Sequence, residues 1–358
     1  MGREGRPTAG PEAPPVTGAE GEESGRILDG RAAAKLVGGL LVGAFLVYLF
    51  GAVVGWAETV RRLRGADRRW VALACLSSLC CLAAWTKTWQ VVIRTLGVTV
   101  GYRRLVVTFL AATFANYVTP MGQAGGEPFI AYVLSRNSEA TFEESLASVV
   151  TADLLRALPF FNVGLVGLGY LIATAGLSGR TGELAAVLVG LAVALPVGVV
   201  ALWRYRAAVR GGILRAVGPI ARRSGRVGLG AVRDRIDRLY VAVERITGSR
   251  RALVVAVGFA YLGWVFFALP LYLSGLALSL PVPALLVAFL VPAAVIAGST
   301  PTPGGLAAIE GTLVVLLGTL TALTAPEALA VTTVYRLTSY WFIVAVGGVA
   351  ALWMLARV

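Results

Sequence analysis

A chain of 358 residues, 57% hydrophobic and only 14% charged, with a mean hydropathy of +0.78, has too few charges for a soluble domain, where about 25% is usual. Its net charge of +13 does not point to nucleic acid, because the basic residues sit beside apolar runs, as in the cytoplasmic loops of a membrane protein. The absence of histidine excludes His-ligated metal sites, His general bases and histidine phosphatase chemistry, and Cys75, Cys80 and Cys81 share one apolar run as small core residues rather than a zinc set.

Residues 1–30 are rich in Gly, Pro and Glu without periodicity and read as a disordered cytoplasmic tail, not a signal peptide. The remainder, 31–358, reads as one all-α polytopic membrane domain. Leu36–Ala57 and Trp70–Ile93 are spans, with Lys87 expected to snorkel and Trp56, Trp70, Trp85 and Trp89 expected at the membrane interface. Leu105–Val118 is about half a bilayer long and stops at Thr119-Pro120-Met121-Gly122; a second short piece runs over Pro128–Ser135. Ser145–Leu177, containing Pro159, and Leu184–Trp203 are further spans. Arg204–Arg251 carries thirteen arginines, which the positive-inside rule places in the cytoplasm. Within it Leu229, Val232, Ile236, Leu239, Val243 and Ile246 follow steps of three and four, the pattern of an amphipathic helix. Such a helix is expected on anionic lipid, with partner docking as the alternative. Ala252–Leu276 spans again; Ala284–Ser299 breaks at Thr300-Pro301-Thr302-Pro303-Gly304-Gly305; Leu306–Leu320 is short, and Ala328–Leu355 closes the chain.

The two breaks match. Thr119-Pro120-Met121-Gly122 to Glu127 and Thr302-Pro303-Gly304-Gly305 to Glu310 both read Thr-Pro-x-Gly-x4-Glu, and an intramembrane arginine follows each Glu, Arg156 after 29 residues and Arg336 after 26. If the broken pair Leu105–Ser135 dips into the membrane and returns, three crossings separate the breaks and the second unit enters from the opposite face. That arrangement, preferred over a crossing pair, places Arg61, Arg62, Arg64, Arg68 and Arg69 outside. It predicts two inverted repeats, about 105–203 and 252–358, joined by the basic segment 204–251, each holding a re-entrant helix pair opened by Pro and Gly. Opened backbone is tolerated at membrane depth only inside protein or at a wet cavity, and freed amides at a half-helix start suit an anion. Simple kinking of packed helices is the plainer alternative.

Glu127, Asp153, Arg156, Glu310 and Arg336 lie in or beside apolar runs, where charges cost at least about 2.5–3.5 kcal/mol each and are usually paired or functional. Asp153 and Arg156 share a helix face and suit an ion pair; the sharper reading gives Arg156 and Arg336 a lipid phosphate to hold.

The same residues carry a family resemblance. Asn116-x2-Thr119-Pro120-x-Gly122-x4-Glu127 (with Gly126 before the Glu), Asp153-x2-Arg156, and Thr302-Pro303-Gly304-Gly305-x4-Glu310 followed by Arg336 are similar to the signatures of the transmembrane region of lysylphosphatidylglycerol synthases. The first motif departs in carrying Gln123-Ala124-Gly125-Gly126 where the family often shows Arg-x-Gly-Glu. The resemblance implies a flippase-like unit that moves an aminoacylated phospholipid between leaflets, with these residues as substrate contacts and no cofactor. It also implies that a separate enzyme makes the lipid, since the chain ends at Val358 just after its last span. The resulting expectation is a multi-pass inner-membrane lipid translocator with membrane lipids as partners, no catalytic residues and no metal. An intramembrane enzyme using Glu127 and Glu310 on lipid phosphates, or a scaffold for envelope-lipid enzymes, are the alternatives. No nucleotide-binding loop is present to support ATP hydrolysis.

Overall fold

The computed structural model describes residues 56–118, 131, 134, 135, 140–175, 190, 197, 198, 201, 204–209, 211, 212, 215, 229–300 and 302–356. The tail, nearly all of the first expected span, the first break and most of the Leu184–Trp203 run lie outside the described residues. Every regular element among the described residues is helical. They are α1 (Trp56–Arg64), α2 (Arg68–Arg94), α3 (Tyr102–Val118), α4 (Phe142–Ala175), α5 (Leu229–Gly248), α6 (Arg250–Ala277), α7 (Ala284–Ala297), a 3₁₀ turn (Pro303–Gly305), α8 (Ala308–Leu320), α9 (Ala325–Arg336), a π turn (Leu337–Trp341) and α10 (Phe342–Leu355). Five stretches are long and apolar enough to cross a membrane, namely Arg68–Arg94, Phe142–Thr174, Arg250–Ala277, Pro303–Leu320 and Ala325–Met354. Strongly exposed apolar side chains such as Val166, Val254, Val349 and Leu352 suit a lipid rather than a water surface.

Local chemistry sets the helix starts. Asp67 caps α2 by accepting from Arg69 N–H (2.9 Å), and Ser249 caps α6 by accepting from Ala252 N–H (3.4 Å). α4 and α9 start with the same device. Thr141 N–H donates to Glu144 Oε2 (3.0 Å) while Glu144 N–H donates back to Thr141 Oγ1 (3.2 Å), and Thr324 with Glu327 forms the same reciprocal capping box. These boxes lie 183 positions apart (Thr141 to Thr324, Glu144 to Glu327), the spacing that also separates Pro120 from Pro303 and Glu127 from Glu310. One register therefore relates the two halves from the breaks through to the last helices.

The packing obeys the same register, with partners exchanged. In that register α1 corresponds to α5, α2 to α6, α3 to α7, and α4 to the α9–π–α10 helix. α2 packs along α6, the most extensive helix pair. α3 packs on α10, while α7 packs on α4. α1 packs on α9, while α5 packs on α4. Ion pairs join the same element pairs, though not at equivalent register positions: Arg62 of α1 meets Glu327 in the first turn of α9 (3.0 Å), and Arg238 of α5 meets Glu143 in the first turn of α4 (3.2 Å). α2 and α6 run antiparallel. Asp67 N–H donates to Ala277 O (2.8 Å), Ser77 Oγ to Phe266 O (2.8 Å) and Thr88 Oγ1 to Ala256 O (3.2 Å).

Two apolar cores flank the α2–α6 pair. One gathers α6, α7, α8, α9 and the second half of α4; the other gathers α2, α3, the first half of α4, Ile246 and Ile343. Trp85 borders both. Several sequence expectations change here. Trp85 and Trp89 do not point outward as belt residues would: Trp89 is 3% exposed and edge-on to Phe109, and Trp85 packs against Trp264 and Phe267. Both rings lie on the face of α2 that meets other helices. Lys87 does not snorkel freely, because its Nζ donates to Gln90 (2.7 Å) and sits over the Tyr102 ring. The amphipathic α5 does not offer its whole apolar stripe to lipid, since Val243 and Ile246 pack into the second core.

The exchanged contact between α4 and α7 depends on a glycine. A Cβ on Gly167 would lie 2.2 Å from Phe289 N, a backbone atom that cannot swing aside, and in the equivalent helix pair a Cβ on Gly347 of α10 would lie 2.7 Å from Leu110 O of α3. Gly167→Ala is expected to lower stability by about 1–3 kcal/mol, the usual cost of overpacking, read as a fall in the thermal unfolding midpoint in detergent. An unchanged midpoint would mean that α4 and α7 are not in this contact.

Candidate functional site

The second break opens because its backbone leaves the right-handed region. Gly304 and Gly305 have φ of 57° and 64°, and Ala307 has φ of 71°. Glycine takes such values without steric cost; alanine does not. Thr302 Oγ1 donates to Leu306 O (3.1 Å) and braces the turn. α8 then begins at Ala308, which puts Glu310 in its first turn, where a carboxylate complements the positive helix end.

The facing element is the π turn that interrupts the last long helix immediately after Arg336. Single π turns of this kind often mark functional positions. Arg336 Nε donates to Glu310 Oε1 (2.6 Å), and its Nη2 donates to Gly304 O (2.9 Å), so one guanidinium ties the opened turn to the new helix. The two side chains are 8% and 7% exposed. The guanidinium lies 4.3 Å from the Tyr340 ring centroid. That ring stacks on Tyr117 of α3 (5.3 Å) and donates its hydroxyl to Tyr117 O (3.2 Å). Glu310 Oε2 is buried and has no hydrogen-bond partner among the described residues.

The first half supplies a second charged group. Arg156 pairs with Asp153 on α4, in a more open setting of 21% and 30% exposure. Its guanidinium lies between the rings of Trp85 (5.2 Å) and Phe109 (5.6 Å), and Trp264 Nε1 donates to its backbone carbonyl (2.7 Å). The two groups share a neighbourhood. Cys81 of α2 lies within Coulombic range of Arg156, and Tyr117 and Tyr335 lie within range of both Cys81 and Arg336.

The structure thus brings Gly304, Glu310 and Arg336 together, with Thr302 and Pro303 shaping the turn, and joins Asp153 to Arg156. Asn116 is half-buried on α3, next to Tyr117. Thr119, Pro120, Gly122, Gly126 and Glu127 lie outside the described residues. The capping boxes sharpen one comparison: in the shared register Arg336 corresponds to Asp153, and Arg156 to Ser339. The two arginines are offset by one helical turn, so the two halves are alike in packing and unlike in charge. Tyr340, Tyr117, Trp85 and Phe109 escaped the sequence reading. Tyr340, four residues after Arg336 and so on its helix face, carried a usable signal; Trp85 and Phe109 carried none, because only tertiary packing brings them to Arg156.

Gly304 also gives a direct check, since a Cβ there would lie 2.0 Å from the Tyr340 ring. Gly304→Ala is expected to destabilise, and Tyr340→Ala to relieve part of that cost. Thermal unfolding of both single variants and the double variant measures this coupling, expected at about 0.5–3 kcal/mol. Strict additivity would place Tyr340 away from the turn.

Over most of its length the chain is similar in sequence to known proteins. Residues 36–347 match the family described as "Lysylphosphatidylglycerol synthase TM region". Two proteins of Methanothermobacter thermautotrophicus, each named "UPF0104 membrane protein", are 26% and 25% identical to the chain. The alignments cover 86% of this chain and 92% of the first relative, and 87% of this chain and 91% of the second. A relative of the same description from Methanocaldococcus jannaschii is 27% identical over 38% of this chain and 40% of its own length. No solved structure matches. With its apolar spanning helices and a match over most of its length, the chain is a multi-pass membrane protein that belongs to the lysylphosphatidylglycerol synthase TM-region family.

Proposed function

We propose that the protein moves a lipid with an anionic phosphate headgroup, an aminoacylated phospholipid being the class the family suggests, between leaflets of the cell membrane by alternating access of two inverted repeats. The observation that carries this reading is the buried Arg336–Glu310 pair bonded to the opened backbone at Gly304. A buried ion pair adds little stability for its desolvation cost, and intramembrane charges mark substrate paths by default. Here Arg336 Nη1 has no partner among the described residues, which leaves a donor for a phosphate oxygen. Arg156, more open and set between two aromatic rings, is the second cationic contact along the path.

The inverted arrangement is supported by the antiparallel run of α2 against α6, two register-equivalent helices that are each long enough to span. Re-entry of the second break is supported by length. α7 has 14 residues and α8 has 13, about 21 and 20 Å at 1.5 Å per residue. Each regular helix falls short of a core of about 30 Å, Pro303–Leu320 being long enough to cross only with the opened turn counted in, and the two pack on each other. A helix of this length entering from one face ends its break beyond the bilayer midplane. The N-terminus and the 204–251 segment are assigned to the cytoplasm on their arginine content.

The test is leaflet exchange of fluorescent phosphatidylglycerol and its aminoacylated form in vesicles holding the purified protein. Wild type should accelerate exchange. Arg336→Lys should lose most of it, because an ammonium cannot reproduce the fork that reaches Glu310, Gly304 and a phosphate together. Arg336→Ala alone strands a buried carboxylate, at about 3–5 kcal/mol, so Glu310→Gln/Arg336→Gln serves as the better-folded control and should be equally inactive. Exchange at the wild-type rate in that double variant would end the assignment.

A further inference from the structure

We propose that Glu310 is a proton site coupled to the anionic ligand: when Arg336 turns from Glu310 to the ligand phosphate, the Glu310 carboxylate takes up one proton on Oε2. This inference rests on the translocation reading above and adds what that reading leaves open, the ion that moves with the lipid.

The argument starts from the asymmetry of the carboxylate. Oε1 receives the Arg336 Nε–H at 2.6 Å. Oε2, on a side chain only 7% exposed, has no hydrogen-bond partner among the described residues. An ionised carboxylate buried with one oxygen bare is held in that state chiefly by its counter-ion, with the positive end of α8 adding a smaller share. Among the described residues the titratable and charged groups around it are few. α9 contributes Tyr335 and Arg336, the π turn contributes Tyr340, and α3 and α2 contribute Tyr117 and Cys81 beyond them. α7, packed against α8, contributes none, and α8 has no other. Arg336 is therefore the one positive charge among these groups. A phosphate that engages Arg336 leaves Glu310 without that partner in a low-dielectric site, and protonation removes the stranded charge. The balance is simple. The carboxylate and a proton from the open aqueous side give the neutral acid, the Arg336 charge passes to the phosphate, and no covalent bond to the ligand changes. Release of the lipid on the other side restores the ion pair and frees the proton there.

Linkage makes the claim measurable, because a ligand that raises a proton affinity must itself bind tighter as protons are supplied. The experiment is equilibrium binding of a short-chain phosphatidylglycerol, whose phosphodiester does not titrate in this range, to the detergent-solubilised full chain between pH 5 and 8. Wild-type affinity should rise by as much as about tenfold per pH unit lowered, the limit for one proton taken up per anion. Glu310→Gln should bind with a pH-independent affinity, whatever its absolute strength. Should that variant fold poorly, wild type alone still decides: calorimetric titration in two buffers of unlike ionisation enthalpy should report one proton absorbed per lipid bound. Binding with no pH slope and no proton uptake in wild type, or an undiminished slope in Glu310→Gln, overturns the proton site while leaving lipid recognition standing. No binding of any anionic lipid overturns both.

Discussion

A guanidinium and a carboxylate held 2.6 Å apart with less than a tenth of either side chain exposed are the constraint around which the second half of this protein is arranged. In a membrane such a pair exists only if the backbone brings both groups to one place and keeps each supplied with partners. The positive-φ turn at Gly304 and Gly305 supplies a carbonyl for the guanidinium and starts a new helix that carries the carboxylate. The π turn after Arg336 sets Tyr340 beneath the same guanidinium and against the Gly304 backbone. Remove any one of these and the others lose their geometric reason. Intact helices through both positions would satisfy the backbone better, and the local irregularity is what brings the two charges together.

The exchange of packing partners gives that site a mechanical setting. α4 rests against α7 of the other half, α10 against α3 of the other half, and the two basic helices each clasp the first turn of the opposite closing helix through an Arg–Glu contact. Neither half packs as an independent bundle. The antiparallel α2–α6 pair, one helix from each half, lies between the two sets of exchanged contacts. Trp85 stands where the two cores meet, and its ring centroid lies 5.2 Å from the Arg156 guanidinium, so the junction of the cores adjoins the first charged group.

Much of this was legible in the sequence, for identifiable reasons. Long apolar runs announce spans because lipid demands internally bonded helices, and α2, α4 and α6 fall within a few residues of the runs that signal them. The matched Thr-Pro-x-Gly-x4-Glu breaks announced the opened turn because proline and glycine act locally. The register was readable too: Thr141 with Glu144 and Thr324 with Glu327 are capping-box pairs in plain view, and they place Asp153, not Arg156, opposite Arg336. What stayed hidden were contacts between distant residues. Trp85 and Trp89 look like interfacial tryptophans in any window of sequence, and only the approach of α6 and α3 turns them inward. The stripe of α5 looked lipid-facing because nothing local says that Val243 and Ile246 meet another helix. The bare Oε2 of Glu310 is a property of tertiary packing, not of a motif.

The difference in charge between equivalent positions bears on direction. A protein whose two halves pack alike can alternate between two arrangements that differ little in packing energy, because each conformation of one half has a counterpart in the other. Identical charges at equivalent positions would then make the two arrangements electrostatically alike as well. Here one register position holds Asp153, salted to an arginine one turn on and partly open, and its equivalent holds Arg336, closed against Glu310. The pair that opens most readily is the more exposed one, where screening weakens the attraction; the buried pair separates only when a competing anion takes the arginine. Under the proposed cycle the two steps therefore need different triggers, hydration for one and ligand for the other, and a symmetric frame can run an ordered sequence.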